Sequence, residues 1–210
     1  MNTRVNICGV ELKNPVIAAS GTFGFGREYN EFYDVGMLGG ISSKGLTLLP
    51  REGNDGVRIA ETPSGILNCV GLQNPGVEAF IERELPFMRE SGAVVIANAA
   101  GSSLQDYEKI CERLSETDVD MIELNISCPN VRCGGMSFGV MPSSVEEVTR
   151  AARSHCSKPL IVKLTPNVSD IADNARAAEN GGADAVSLIN TLTGMAVDVY
   201  TRRPVLGNVT

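Results

Sequence analysis

Residues 94–126 read VVIANAAGSSLQDYEKICERLSETDVDMIELNI, and their pattern decides the fold. Val94–Asn98 and Met121–Ile126 are short, nearly continuous apolar runs. Between them, Leu104, Tyr107, Ile110, Cys111 and Leu114 fall on one face of a helix over Ser103–Thr117, which places Cys111 in the core. Strand, helix and strand joined by short connections make a unit of a parallel sheet. Strands this apolar belong to a sheet covered on both faces.

The pattern recurs outward in both directions. Further strands are expected at Pro15–Ala19, Gly40–Lys44, Leu160–Leu164 and Ala185–Asn190. Ser144–His155 reads as a helix capped by Pro142-Ser143, with Glu146 and Glu147 near the positive end of its dipole. Ser169–Asn180 reads as another, stopped by Gly181-Gly182. The fold class is α/β: a (β/α)8 TIM barrel, here with its first six βα units. A closed barrel needs two more strands and typically about 250 residues. The chain is therefore expected to be a single barrel domain over residues 1–210, incomplete at its C-terminus. The long Gly- and Pro-rich connection Gly45–Arg83 follows the second strand, at the barrel face where active sites form.

Bulk properties exclude several functions. Eighteen basic against 25 acidic residues give a formal net charge of -7, which argues against a nucleic-acid binder. No apolar run reaches the roughly 18 to 20 residues of a membrane span, and the N-terminus lacks the apolar core of a secretion signal. A cytoplasmic location is expected. Six cysteines and one histidine, with no C-x2-C pair, argue against a zinc site. His155 is expected to be a solvated cap at a helix end, and most cysteines small buried filler.

Polar residues gather where the strands end. The six ends carry Ser20, Lys44-Gly45, Asn98, Asn125, Lys163 and Asn190-Thr191 in turn. A single asparagine there would be a turn residue. Two lysines and three asparagines at the same end of successive strands favour a ligand site. Amides match a ring bearing alternating carbonyl and N–H groups, such as a pyrimidine or a flavin. Lysines in apolar strands call for an anion. The glycines of GTFGFG have the wrong spacing for a dinucleotide-binding turn. Cys128 sits among these groups on the same face, before Pro129, where a thiol needs only a modest pKa drop to take a proton near neutral pH. Cys133, five residues on beside Gly134-Gly135, reads as incidental, and Cys8 and Cys156 have no such company.

NISCPN (125–130), GGMSFG (134–139), SSKGLT (42–47), NCVGLQNPG (68–76), KLTPN (163–167) and LINT (188–191) together closely resemble the dihydroorotate dehydrogenase family. GLQNPG and NISCPNVRCGG resemble the catalytic subunit of its NAD-linked class 1B. The resemblance covers essentially the whole chain. It implies flavin-dependent oxidation of dihydroorotate to orotate in pyrimidine biosynthesis, on FMN at the C-terminal barrel face. Cys128 would be the base at C5. Ser20, Lys44, Gly45, Asn98, Asn125, Lys163 and Ile189 would contact FMN. Lys44, Asn68, Cys69, Val70, Gly71, Leu72, Asn125, Asn190 and Thr191 would hold the substrate. The partner implied is an FAD and 2Fe-2S subunit in a heterotetramer that passes electrons to NAD.

The family continues for about two more βα units, whose loops cradle the FMN phosphate. The 210-residue chain alone is expected to bind FMN poorly. Three other readings compete: a uracil-reducing dihydropyrimidine dehydrogenase, a fumarate-linked class 1 homodimer, and a shortened product whose motifs are idle. Lys44 and the Asn68–Leu72 loop favour a carboxylated substrate over uracil.

Overall fold

Alternation along parallel strands sorts side chains to two faces, and here it separates a helix-covered face from a barrel interior. A computed structural model describes residues 2–127 and 138–207. The chain opens with an antiparallel pair, β1 (Val5–Ile7) and β2 (Val10–Leu12). Next come β3 (Ile17–Ala18), the short helix α1 (Arg27–Asn30), a 3-10 turn at Val35–Met37 and β4 (Gly40–Ser42). A hairpin of β5 (Ile59–Thr62) and β6 (Gly65–Asn68) follows. A continuous helical segment runs through α2 (Val77–Ala79), a π turn at Phe80–Glu84 and α3 (Leu85–Glu90). Then come β7 (Val94–Ala100), α4 (Leu104–Ser115), β8 (Met121–Asn125), α5 (Pro142–Ser154), β9 (Leu160–Leu164), α6 (Ile171–Asn180) and β10 (Ala185–Leu188). A last small pair joins β11 (Val197–Asp198) to β12 (Arg203–Pro204).

Six strands form one sheet in the order β10-β9-β8-β7-β4-β3, every pair parallel. Spatial order follows chain order, as in a singly wound barrel. The sheet curls into a partial (β/α) barrel, and among the described residues β3 and β10 are not paired with each other.

Val95, Ala97 and Ala99 of β7, Ile122 and Leu124 of β8, and Leu160, Val162 and Leu164 of β9 pack outward against the helices. Tyr107, Ile110, Cys111 and Leu114 of α4 and Val145, Val148 and Ala152 of α5 meet them there. At the floor of the interior, Leu12 of β2 packs on Ile96, Met121 and Ile161, so the N-terminal hairpin plugs the bottom.

The expected strands and helices are present, with shifted ends. Leu160–Leu164 matches in full, β7 runs two residues further, and β3, β4 and β10 are shorter than read. Helix α5 begins at Pro142, and its N-cap Met141 offers no side-chain cap. Glu146 and Glu147 therefore lie beyond the first turn, away from the dipole end. Asp170 caps α6 by accepting from Ala172 N, so the helix starts at Ile171, two residues after the Ser169 start read from the sequence. The segment read as the loop Gly45–Arg83 holds β5, β6 and the start of a helix at Val77. Most of β5 and β6 faces solvent, so the hairpin carries no apolar stripe to announce it.

Helix α4 starts on a reciprocal cap. Ser103 Oγ accepts from Asp106 N, and the Asp106 carboxylate accepts from Ser103 N at 3.1 Å. Ser103→Ala is expected to cost about 1 kcal/mol of stability, read by urea unfolding, with the denaturant slope unchanged.

Candidate functional site

The site begins with an irregularity in β4. Ser42 pairs with Ile96, and the next bridge joins Leu46 to Ala99, so four steps on one strand oppose three on the other. This is a bulge of one residue, a device that re-aims side chains at barrel rims. Ser43 Oγ accepts the Asn98 N–H at 3.0 Å, and the pairing resumes with Leu46 N donating to Asn98 O at 2.8 Å. Lys44 N donates to Gly24 O, which ties the loop after β3 to the same point. Lys44 and Gly45 thus stand at the mouth.

Gly45 is required by close approach. A Cβ there would lie 2.9 Å from Leu72 Cδ1 and 3.0 Å from Asn98 Oδ1. Leu72 comes from the segment after β6, with a positive φ of 55°, beside Gly71 at 75°. Asn74 pins this segment down. Its Oδ1 accepts from Thr47 N and Gly76 N, and its Nδ2 donates to Leu72 O at 2.8 Å. Asn54 Nδ2 donates to Cys69 O, and Asn54 N to Val70 O. Cys69 N donates to Arg58 O, and the thiol is buried toward Val57 O. The backbone N–H and carbonyl of Cys69 are thus engaged inside the loop. Asn68, at the end of β6, is exposed.

The opposite rim comes from β8, β9 and β10. Asn125 and Lys163 are register partners. Asn190 Nδ2 donates to Asn125 Oδ1 at 2.9 Å, and Asn190 Oδ1 accepts from Thr191 N. Tyr107 OH donates to Asn125 O, anchoring that strand end from α4. Asn167 braces the loop after β10 by donating to Thr191 O and accepting from Thr193 N. That loop reaches the β5–β6 hairpin, where Gly194 lies against Leu67. Hairpin and loop meet above the barrel mouth.

Beneath the rim lies a polar layer that the sequence reading missed. Glu123 of β8 is buried. Its Oε2 accepts from Ser42 Oγ at 2.8 Å and from Asn98 Nδ2 at 2.6 Å, and its Oε1 accepts from Ser187 Oγ at 2.7 Å. A signal was present: Glu123 stands two residues before Asn125, on the same strand face, and is the one acid in an apolar run. Asn98 Oδ1 is buried and has no hydrogen-bond partner among the described residues. Buried polar atoms are rarely left so.

The electrostatics point to an anion. Burial pushes the Lys44 ammonium below its ordinary pKa, and the charge of Lys163 lowers it further. Among the described residues, neither lysine forms an ion pair. Two like charges at one mouth, an orphaned acceptor and several amides suit a flat ring with N–H and carbonyl groups and negative charge.

The structure brings Lys44, Gly45, Asn98, Leu72, Asn125, Lys163, Asn190 and Thr191 to one end of the barrel. Ser20 lies in the turn after β3, and Ile189 immediately follows β10. Cys128 and Cys133 fall outside the described residues. His155 caps the end of α5 and is exposed, and Cys111 is buried. No helix among the described residues is long and apolar enough to cross a membrane.

Comparison with known proteins agrees with this arrangement. The family model described as dihydroorotate dehydrogenase matches residues 2–210. The chain belongs to the dihydroorotate dehydrogenase family. It is 56% identical over 209 residues to the dihydroorotate dehydrogenase B (NAD(+)) catalytic subunit of Alkaliphilus metalliredigens, covering 100% of this chain and 69% of the relative. Identity to the subunit of the same name from Alkaliphilus oremlandii is 57% over 208 residues, covering 99% and 69%. For that of Petrotoga mobilis it is 53% over 210 residues, covering 100% and 70%. The chain is an enzyme of this class. The class 1B resemblance carried by the motifs agrees with the names of these relatives.

The depressed Lys44 pKa makes a prediction for the ligand-free chain. Lys44 is harder to protonate when folded than when unfolded, so the unfolded state binds more protons between the two pKa values. Stability should rise with pH across the window just below the ordinary lysine value of about 10.4. Burial raises the Cys8 thiol, and a hydrogen bond with Cys156 together with burial raises that of Cys111; their titration opposes this rise in any variant. The Lys44 contribution is read as the difference from Lys44→Met, which is expected to unfold at higher urea at neutral pH, with that advantage shrinking as pH rises through the window.

Proposed function

We propose that this chain oxidises (S)-dihydroorotate to orotate on FMN bound at the barrel mouth. It would be the catalytic subunit of an NAD-linked enzyme of pyrimidine biosynthesis. One observation carries the reading: two lysines close enough for one to lower the pKa of the other stand at the strand ends, beside a buried Asn98 Oδ1 that packs against Gly45 and has no partner among the described residues. These residues fit a flavin ring. Asn98 Oδ1 offers an acceptor to a ring N–H and lies against Gly45 with no side chain between them. Lys163 supplies positive charge beside it.

Ser20, Lys44, Gly45, Asn98, Asn125, Lys163 and Ile189 would hold the cofactor. When bound, FMN supplies the acceptor for the hydride that leaves C6 of the substrate. The remaining work belongs to the chain. Asn68 and the loop Cys69-Val70-Gly71-Leu72 would take the substrate carboxylate together with Lys44. Asn125, Asn190 and Thr191 would fix the pyrimidine ring, and the Asn190–Asn125 hydrogen bond sets the two amides against each other. Cys128 follows β8 by three residues and would take the proton from C5 as a thiolate. Holding base, ring and hydride acceptor in one stack removes the orientational cost of the reaction. A soluble partner bearing FAD and a 2Fe-2S cluster would carry electrons to NAD, a role in line with the relatives being named catalytic subunits.

The reading is tested by anaerobic flavin bleaching. The FMN-loaded chain, in complex with its partner subunit, is mixed with dihydroorotate or with dihydrouracil. Dihydroorotate is expected to bleach the flavin band and dihydrouracil to leave it unchanged. Bleaching by dihydrouracil alone would move the assignment to the uracil-reducing relatives. Cys128→Ala is expected to keep FMN and slow bleaching by about a hundredfold or more. An unchanged rate would remove Cys128 from the role of base.

A further inference from the structure

Glu123 is surrounded by donors from three other strands. Ser42 comes from β4, Asn98 from β7 and Ser187 from β10, and the glutamate itself belongs to β8. A carboxylate inside a barrel is costly even when its hydrogen bonds are made, and an apolar side chain of the same volume would fill the space at lower cost. Its chemistry offers something an apolar group lacks. A carboxylate only accepts hydrogen bonds, whereas an amide side chain accepts at one end and donates at the other. Asn98 must therefore turn Nδ2 down to Glu123, as it does at 2.6 Å. Its Oδ1 then faces the other way, toward Gly45, buried and without a partner among the described residues.

We propose that Glu123 is a positioning residue that locks the Asn98 amide with its carbonyl toward the ligand space, so that the site selects a ring presenting an N–H at that point. This deepens the cofactor reading above and rests on it. Glu123 does not touch the ligand. Its effect passes through Asn98, and the serines of β4 and β10 hold the carboxylate in place.

The locking is measured first without ligand. In the ¹⁵N-labelled chain, the side-chain amide protons of Asn98 are expected to exchange with solvent far more slowly than those of exposed Asn180. Equal exchange would overturn the proposal with no variant required. In Glu123→Gln the new amide can accept from Asn98 or donate to it, so both orientations become available. Asn98 exchange should then accelerate while the melting temperature stays near that of wild type. Exchange as slow as wild type in a folded Glu123→Gln would overturn the lock.

The second arm uses FMN as the probe. Glu123→Gln should weaken FMN binding by about fivefold to tenfold in the wild-type background. It should add nothing in Asn98→Leu, because the residue it acts through is gone. Equal weakening in both backgrounds would mean that Glu123 only stitches strands together. If the 210-residue chain takes up too little FMN to measure, as its sequence leads one to expect, the exchange measurement alone decides the role of Glu123.

Discussion

The alternation of side chains along six parallel strands governs this molecule. On one face, apolar residues of β7, β8 and β9 pack under α4, α5 and α6 and supply the core. On the other, the same strands read from bottom to top as apolar, polar and then cationic. Leu12, Ile96, Met121 and Ile161 seal the floor. Glu123 gathers Ser42, Asn98 and Ser187 in the middle. Lys44, Asn125 and Lys163 stand at the mouth. A slip of one residue in any strand would exchange its two faces and carry a mouth residue into the helix layer. Register is therefore a condition for the site as much as for the core.

Among the described residues, the sheet's register breaks at one place, where the site needs it. The bulge between Ser42 and Leu46 gives β4 one residue more than β7. It returns Leu46 to the core while Lys44 and Gly45 stay at the rim. Ser43 takes over the Asn98 N–H that regular pairing would have used. The rim is then closed over by two segments far apart in sequence. One is the Asn68–Leu72 loop, held by Asn54 and Asn74. The other is the loop after β10, held by Asn167. Family membership and the local chemistry agree: a closely lined, positively charged mouth above a polar interior suits an anionic heterocycle.

Much of this could be read from the sequence because its signals are local. Helix α4 announced itself by five apolar residues at helical spacing, and β9 by an unbroken apolar run. The strand-end asparagines and lysines were visible once the strands were placed. What escaped depended on partners distant in sequence. Glu123 looked like an ordinary acid in a strand until Ser42 and Ser187, 81 and 64 residues away, met it. Asn74 and Asn167 stand beside prolines in the sequence, and only the folded chain shows what they brace. The β5–β6 hairpin was hidden because it is mostly solvated and has no apolar face to keep. The α5 start was misread by two residues because proline in the first turn serves in place of a capping side chain.

The most direct test of the account is a crystal structure of the chain, with its partner subunit, grown with FMN and orotate. The account predicts a flat orotate ring over the barrel mouth, hydrogen-bonded by the side-chain amides of Asn125 and Asn190, with its carboxylate toward Lys44 and Asn68, and Asn98 Oδ1 on a flavin N–H. Orotate bound away from this mouth, or a flavin turned so that a carbonyl faces Asn98 Oδ1, would contradict it.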